Sequence, residues 1–247
     1  MVPNRTATQP LSPDETSNLL RFIGYGNLKA PVWFLGMEEG GGGEERIRIQ
    51  SGFEPIEDLY DAHVNKMGIT RYHCDNRVLQ STWKGMCHIM LSLAGIPPDK
   101  PTRRTYQAMH LGRPGGDTLL AELMPVAKSS VKDWQYHDLI PRFRDRQHYY
   151  DEVLPVRLLK FAELVLTHRP RLIVAYGRSY WQHYQSILGP TVFHDSGRFR
   201  YGVSGQTTMV LTDHFTARTM NNLLPDVVVL IQKTSPNLSP QLTVTIP

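Results

Sequence analysis

The stretch that decides the fold reads PVWFLGMEEGGGG and runs from Pro31 to Gly43. Its apolar run predicts a buried strand that ends at Gly36, and the glycines predict a loop that leaves the sheet at the strand's carboxyl end. Open α/β sheets bind their ligands at that edge. Consecutive glycines lose much backbone entropy when they are ordered, so they are typical of places where a backbone approaches another molecule closely. A flexible loop without function is the alternative.

Length and composition fit one α/β domain with a substantial core. The chain has 247 residues, of which 40% are hydrophobic and 20% are charged, as in ordinary globular proteins. Its net charge of +4 permits a polyanionic partner without requiring one. Several arginines stand in close groups. Any one group is typical of a solvated loop, whereas all the groups together could form a rim that faces phosphates. These groups are Arg103-Arg104, Arg142, Arg144 and Arg146, Arg169 and Arg171, and Arg198 and Arg200.

The cysteine and hydropathy patterns exclude several classes of protein. Cys74 and Cys87 are too few for a disulfide framework or an iron–sulfur site. Reduced thiols favour the cytoplasm, and because the spacing of zinc ligands is absent we do not expect a metal. No apolar run is long enough for a membrane span, and the start of the chain lacks the apolar core of a signal peptide. We therefore expect a cytoplasmic monomer with no membrane partner.

Strands alternate with helices over residues 14–233, which predicts a parallel sheet with helices on both faces. Residues 1–13 and 234–247 are assigned to tails, so the chain is one domain. Strands are predicted near residues 32–36, 118–125, 171–177 and 207–211, the last forming a hairpin with 197–203. Helices are predicted over residues 13–23, 57–67, 83–94, 151–168, 178–188 and 221–233. Residues 126–148 are predicted to be a long loop.

Three predicted strands end in residues that can carry chemistry. Glu38 and Glu39 follow the first, Glu122 lies near the end of the second, and Asp213-His214 follows the last. Because the carboxyl ends of parallel strands meet at one edge, we expect these groups to share a crevice. Taken singly, each is more often a solvated carboxylate or a structural histidine. Their convergence favours a functional site.

The ordered set of motifs resembles the uracil-DNA glycosylase superfamily over about residues 30–232. GMEEG at 36–40 is similar to that family's first motif, which reads Gly-Met-Asn-Pro-Gly in some branches and has Asp at the third position in others. HFTAR at 214–218 is similar to the second motif, His-Pro-Ser-Pro-Arg, with Thr216 in place of serine and both prolines replaced. Residues 171–177, 123–125 and Asp133-Trp134 are similar to segments between these motifs.

The resemblance implies a three-layer α/β/α sandwich around a four-stranded parallel sheet. It also implies hydrolysis of the N-glycosidic bond of a nucleotide flipped out of DNA, with no metal or cofactor. Glu38 would orient or deprotonate the attacking water, and His214 would donate a hydrogen bond to the leaving base. The implied base-binding residues are Glu122, Gly36, Met37, Phe53 and Trp83, with Tyr72 a further candidate for stacking. The implied DNA-binding residues are Gly40, Gly41, Gly42, Arg218, Thr216, Lys128 and Ser129.

Glu122 stands where the family reads the base with asparagine. An amide both donates and accepts hydrogen bonds, whereas a carboxylate only accepts. An ionised Glu122 would repel the uracil O4 and favour an exocyclic amino group. We therefore expect a cytosine-type base, plain or altered at C5, rather than uracil, excised in repair or in defence against phage DNA.

Other functions remain open at this point. The chain could be a uracil-DNA glycosylase proper, a non-catalytic DNA-binding member of the same fold, or a hydrolase of free nucleosides. An NTP-binding enzyme is disfavoured, because the glycine loop lacks the Gly-Lys-Ser/Thr ending that holds phosphate and magnesium.

Overall fold

The computed structural model, which describes residues 9–74, 77–128 and 134–238, contains one mixed sheet of eight strands with helices on both faces. The strands are β1 (Gly24–Gly26), β2 (Val32–Gly40), β3 (Ile56–Glu57), β4 (Thr118–Lys128), β5 (Leu172–Tyr176), β6 (Phe193–Ser196), β7 (Phe199–Ser204) and β8 (Thr207–Thr212). Their order across the sheet is β3-β1-β4-β2-β5-β8-β7-β6. The α/β class is therefore confirmed.

Seven α-helices occur in the described ranges. They are α1 (Pro13–Arg21), α2 (Glu44–Gln50), α3 (Trp83–Leu93), α4 (Lys100–Met109), α5 (Arg146–His168), α6 (Trp181–Ile187) and α7 (Met220–Thr234). A π-helical turn covers Asp61–Lys66, and a 3-10 turn covers Arg178–Tyr180. None of the helices in these ranges is both long and apolar enough to cross a membrane.

The prediction of a sheet with only four parallel strands is wrong, because the sheet has eight strands. β4, β2, β5 and β8 do pair in parallel, but the sheet continues beyond them on both sides. β1 adds antiparallel to β4, and the β6–β7 hairpin adds antiparallel to β8. These additions satisfy the backbone groups that β4 and β8 would otherwise leave unpaired at the sheet edges. The predicted hairpin between residues 197–203 and 207–211 is confirmed.

The first apolar run forms a central strand because both of its faces are covered. Trp33 and Leu35 pack in the core on one side of the sheet. Val32 and Phe34 pack in the core on the other side. Side chains alternate between the faces of a strand, so an uninterrupted apolar run is what a doubly covered strand requires.

Two strands extend further than the sequence indicated. β2 does not end at Gly36 but continues to Gly40, and β4 continues to Lys128, because Glu38 pairs with Met124 and Gly40 with Lys128. The register shifts between Glu38 and Gly40. The predicted glycine loop is therefore only the short link from β2 to α2, a helix that the sequence analysis did not predict.

Other boundaries also differ from the predictions. The helix predicted over 57–67 is confirmed in part: β3 ends at Glu57, and the helical segment that follows has π-helical geometry over Asp61–Lys66. α4 was not predicted, and α5 begins five residues earlier than expected, at Arg146. Helices predicted at 83–94, 178–188 and 221–233 are confirmed within a few residues, the second with its first turn as 3-10 helix.

Gly36 lies where the side chains of two neighbouring strands meet. It pairs with Glu122 on β4, while β5 on its other side carries Tyr176. A Cβ atom at Gly36 would overlap both Glu122 Oε2 and Tyr176 Oη. Glycine is therefore required here for space.

We predict that Gly36→Ala lowers the free energy of unfolding by about 1–3 kcal/mol, because overpacking forces buried groups apart. Gly40→Ala is the matched control in the same strand, since a Cβ there meets no atom within 4 Å. Urea denaturation measures both variants. Equal midpoints for the two would show that Gly36 is not tightly enclosed.

Candidate functional site

A cavity of about 480 Å³ opens at the carboxyl edge of the parallel strands. This volume is within the range of about 300–1,000 Å³ that is typical of small-molecule sites. Its walls come from β1, β2, β4 and β5, from Arg46 on α2, from residues 63–72 and 80–86, and from His214. It brings together seven of the predicted site residues, namely Glu38, Gly40, Gly41, Trp83, Glu122, Lys128 and His214.

Glu122 lines the cavity from the middle of β4. Tyr176 Oη donates a hydrogen bond of 2.9 Å to its Oε1 atom. Its Oε2 atom is buried and has no hydrogen-bond partner among the described residues. Burial, reinforced by the negative charge of Glu39, raises the pKa of Glu122 from 4.5 to about 8. The neutral acid therefore predominates at pH 7.

Glu38 is held by two partners at the cavity wall. It accepts a hydrogen bond from Tyr150 Oη on α5. Lys128 Nζ lies 3.7 Å from Glu38 Oε1 and packs over the rings of Trp134 and Tyr150. The Lys128 side chain is only 3% exposed. Lys128 therefore faces Glu38 from a buried position in the cavity wall, and its contact with DNA stays a prediction.

Glu39 is engaged on all sides by structural partners. It accepts hydrogen bonds from Tyr25 Oη at 3.1 Å and from Gln50 Nε2 at 3.0 Å, and it forms an ion pair with Arg46. Arg46 also donates to the carbonyl oxygens of Gly40 and Gly41 at 3.0 and 2.9 Å. Glu39 and Arg46 thus fix the link between β2 and α2. Of the two adjacent acids, Glu38 is the one with fewer structural bonds.

His214 stands at the mouth of the cavity directly after β8. Its Nδ1 atom accepts a hydrogen bond of 3.3 Å from the Thr216 backbone N–H and lies 2.7 Å from Thr216 Oγ1. With Nδ1 as acceptor, the neutral ring carries its proton on Nε2. Partial burial lowers the pKa of His214, which favours this neutral form. The ring packs edge-on against Tyr176, with centroids 5.4 Å apart.

An aromatic wall faces these groups. The ring centroids of His63 and Trp83 are 5.1 Å apart, and those of Tyr72 and Trp83 are 5.3 Å apart. His63 is buried, and neither of its ring nitrogens has a hydrogen-bond partner among the described residues. Burial, with the positive charges of its neighbours, lowers the pKa of His63 to about 3, so the ring is neutral. The neutral His63 ring has one hydrogen-bond donor and one acceptor, and it lies beside the rings of Trp83 and Tyr72.

Some predicted residues lie elsewhere. Phe53 and Met37 are buried in the two cores and are not part of the cavity lining. Gly36 lies beneath Glu122, and Gly42 packs closely against Tyr136 and Ala127. Arg218 and Thr216 are exposed after His214. Ser129 and Asp133 lie outside the described residues.

Sequence reasoning missed four lining or supporting residues, namely Tyr25, His63, Tyr150 and Tyr176. Tyr176 immediately precedes a glycine at a predicted strand end, so the rule that found Glu122 would have found it too. His63 lies in the part of the chain with the weakest pattern. Tyr150 is 112 residues away from Glu38 in sequence, and only the packing of α5 joins them. In the ranges that the structure describes, no group of three potential ligands is placed to hold a metal ion.

Comparison of the chain with protein-family models, with curated proteins and with solved structures finds no significant match. The glycosylase resemblance therefore depends on the motifs at residues 36–40 and 214–218. The chemistry of the cavity has to be judged from its geometry.

We predict that Glu122→Gln changes how stability depends on pH. Between pH 4.5 and about 8 the folded chain keeps the Glu122 proton while the unfolded chain loses it. This group's contribution to the free energy of unfolding is full below pH 4.5 and falls by up to about 1.4 kcal/mol per pH unit in that window. The variant should therefore gain stability relative to the wild type as pH rises from 5 to 8.

Urea midpoints measured at several pH values test this expectation. Glu45→Gln, at an exposed position on α2, is the control and should follow the wild type. Parallel pH curves for the wild type and Glu122→Gln would contradict a buried neutral acid.

Proposed function

We propose that the protein is a DNA glycosylase that hydrolyses the N-glycosidic bond of a base flipped into the cavity. The observation that carries this proposal is the convergence of Glu38 on β2, Glu122 on β4 and His214 after β8 on one cavity. The motif resemblance supports the same reaction. Gly40, Gly41, Thr216 and Arg218 are exposed, as a DNA-facing surface requires.

Bond cleavage leaves positive charge on the sugar and negative charge on the base. In the proposed mechanism Glu38 orients the water that attacks C1′, takes its proton and stabilises the cationic sugar. Tyr150 and Lys128 hold Glu38 in place for this role. His214 donates from Nε2 to the base as its negative charge develops, and such preorganised donors are effective because they need no reorientation during the reaction.

The aromatic wall and Glu122 would recognise the base. Flipping a nucleotide costs a few kcal/mol, and stacking on Trp83 or Tyr72 would offset part of this cost. Both His63 and Glu122 line the cavity beside these rings, and in this proposal their side chains rotate to form hydrogen bonds with the edge of the base. A cytosine-type base, plain or altered at C5, remains our proposed substrate, in repair or in defence against phage DNA.

The protonation of Glu122 confines the reason for this preference to pH values at which the acid is ionised. An ionised Glu122 would only accept hydrogen bonds. With a pKa of about 8, Glu122 is mostly neutral at pH 7 and can donate as well as accept, like an amide. The neutral Glu122 then accommodates uracil at pH 7. Only the ionised Glu122, at higher pH, repels the O4 atom of uracil.

We predict that Glu38→Gln and His214→Ala each lower the rate of base release by about 10²–10⁴, as expected for lost general-base or hydrogen-bond-donor groups. The measurement is abasic-site formation in a panel of oligonucleotides that carry uracil, cytosine, 5-substituted cytosines and deaminated purines. Glu45→Gln is the control for loss of a surface carboxylate.

Rates in Glu38→Gln and His214→Ala equal to the control would remove the site assignment. If DNA binds but no base is released from any oligonucleotide, the protein is a non-catalytic DNA-binding member of the fold. Efficient uracil release that is unchanged in Glu122→Gln at every pH would indicate a uracil-DNA glycosylase that does not use Glu122.

We also predict that base preference changes with pH. As pH rises from 7 to 9, ionisation of Glu122 should lower uracil release more than release of a base with an exocyclic amino group. Glu122→Gln cannot ionise, so its ratio of the two rates should stay constant. A ratio that changes equally in both proteins would assign the pH effect to another group.

A further inference from the structure

A second cavity, of about 410 Å³, lies between the turn after β5 and the β6–β7 hairpin. Arg178, Trp181, Asp195, Phe199 and Arg200 are among its lining residues. We call it the arginine groove. The β6–β7 hairpin forms one side of this groove and lies outside the four parallel strands. A sheet of only those four strands, as the resemblance implies, would not form the groove.

Two arginines of the groove are held against one aromatic ring. The guanidinium groups of Arg178 and Arg200 lie 5.0 and 5.7 Å from the centre of the Trp181 ring. Trp181 is buried, and its Nε1 atom donates to the Thr212 carbonyl oxygen at 3.0 Å. The ring is thus a fixed support, while the Arg178 and Arg200 side chains remain 56% and 43% exposed. Guanidinium groups held in this way keep their N–H donors accessible.

Arginines outnumber carboxylates around the groove. Arg198 pairs with Asp213 at 2.9 Å, and Arg178 lies 3.9 Å from the same carboxylate. Arg200 pairs with Asp195 at 2.6 Å, but the Asp195 side chain is 74% exposed and therefore well solvated. With Arg198 beside the groove, this part of the surface carries three arginines against two carboxylates, and Asp213 contacts Arg178 and Arg198.

The groove adjoins the first cavity at two points of the chain. Tyr176 lines the first cavity, and Arg178, two residues later, lines the groove. His214 lines the first cavity, and the preceding residue, Asp213, contacts the arginines. Two residues span at most about 7 Å of backbone, so the chain at Tyr176 and at Asp213-His214 connects the first cavity directly to the residues around the groove.

We propose that the arginine groove binds the phosphate backbone of the DNA strand that flanks the nucleotide held in the first cavity. Arginine suits this role because its planar group makes paired hydrogen bonds to phosphate oxygens. The inference rests on the proposed function for the identity of the polyanion. The inference adds a second DNA-contact region on the β6–β7 side of the site. This region would position the DNA strand through its phosphates without reading its base sequence.

The test is the salt dependence of DNA affinity. The double variant Arg178→Gln/Arg200→Gln should bind a fluorescent duplex that carries a stable abasic analogue more weakly than the wild type, measured by anisotropy. Loss of two phosphate contacts should reduce the slope of log Kd against log salt concentration by about 1.8. Arg169→Gln/Arg171→Gln is the matched control, since it removes the same charge near the amino end of β5, at the opposite edge of the sheet. Its slope should stay close to that of the wild type.

A second variant separates charge from structure. Arg178→Lys/Arg200→Lys keeps both charges, so it should keep most of the salt slope while losing part of the affinity. Equal slopes for the groove and control variants would overturn the proposal, and so would a lysine variant that loses as much slope as the glutamine variant.

The outcome is independent of base release. If no oligonucleotide loses a base but the groove variant still loses affinity and slope, the glycosylase proposal fails and the groove stands. If bases are released and the groove variant binds like the control, the groove proposal fails and the glycosylase stands.

Discussion

The carboxyl group of Glu122 is buried above Gly36, where it meets Tyr176 across the central strand β2. Burying an acid is costly unless it is neutral or hydrogen-bonded, and here it is both. The Arg157 guanidinium on α5 is also buried, and it donates to the backbone carbonyl oxygens of Glu122 and Leu123 at 2.8 Å each. The position of Glu122 thus depends on a glycine in one strand, a tyrosine in another and an arginine on a helix.

Three carboxyl groups at one sheet edge would repel each other if all were ionised and unpaired. The structure removes this repulsion in a different way for each group. Glu39 is paired with Arg46, Glu38 is paired with Lys128 and bonded to Tyr150, and Glu122 keeps its proton. Because the three environments differ, the three groups are suited to different roles, which are structural support, water activation and base recognition in the proposed reaction.

The departures from the family motifs have structural reasons that leave the proposed chemistry intact. Phe215, in place of a proline, is buried against Gly85 and Tyr176 and fills the core below His214. Glu39, in place of the other proline, binds Arg46, which in turn fixes Gly40 and Gly41. The glycines are therefore ordered by a specific side chain, and the stretch is more than a flexible linker.

The sequence by itself determined the α/β class, the positions of the central strands and the candidate groups at their ends. An apolar run followed by glycine or by an acid can be recognised within a few residues of sequence. Glu38, Glu122 and His214 were therefore predicted from the residues next to them in the chain. Only the tertiary structure decided the short strands β1 and β3, since strands of three and two residues are defined by pairing with neighbours rather than by a pattern of their own. It likewise decided that Lys128 faces Glu38, that His63 and Tyr150 join the site and that Glu122 is neutral. These properties arise from burial and from contacts between distant segments, which no local stretch of sequence contains.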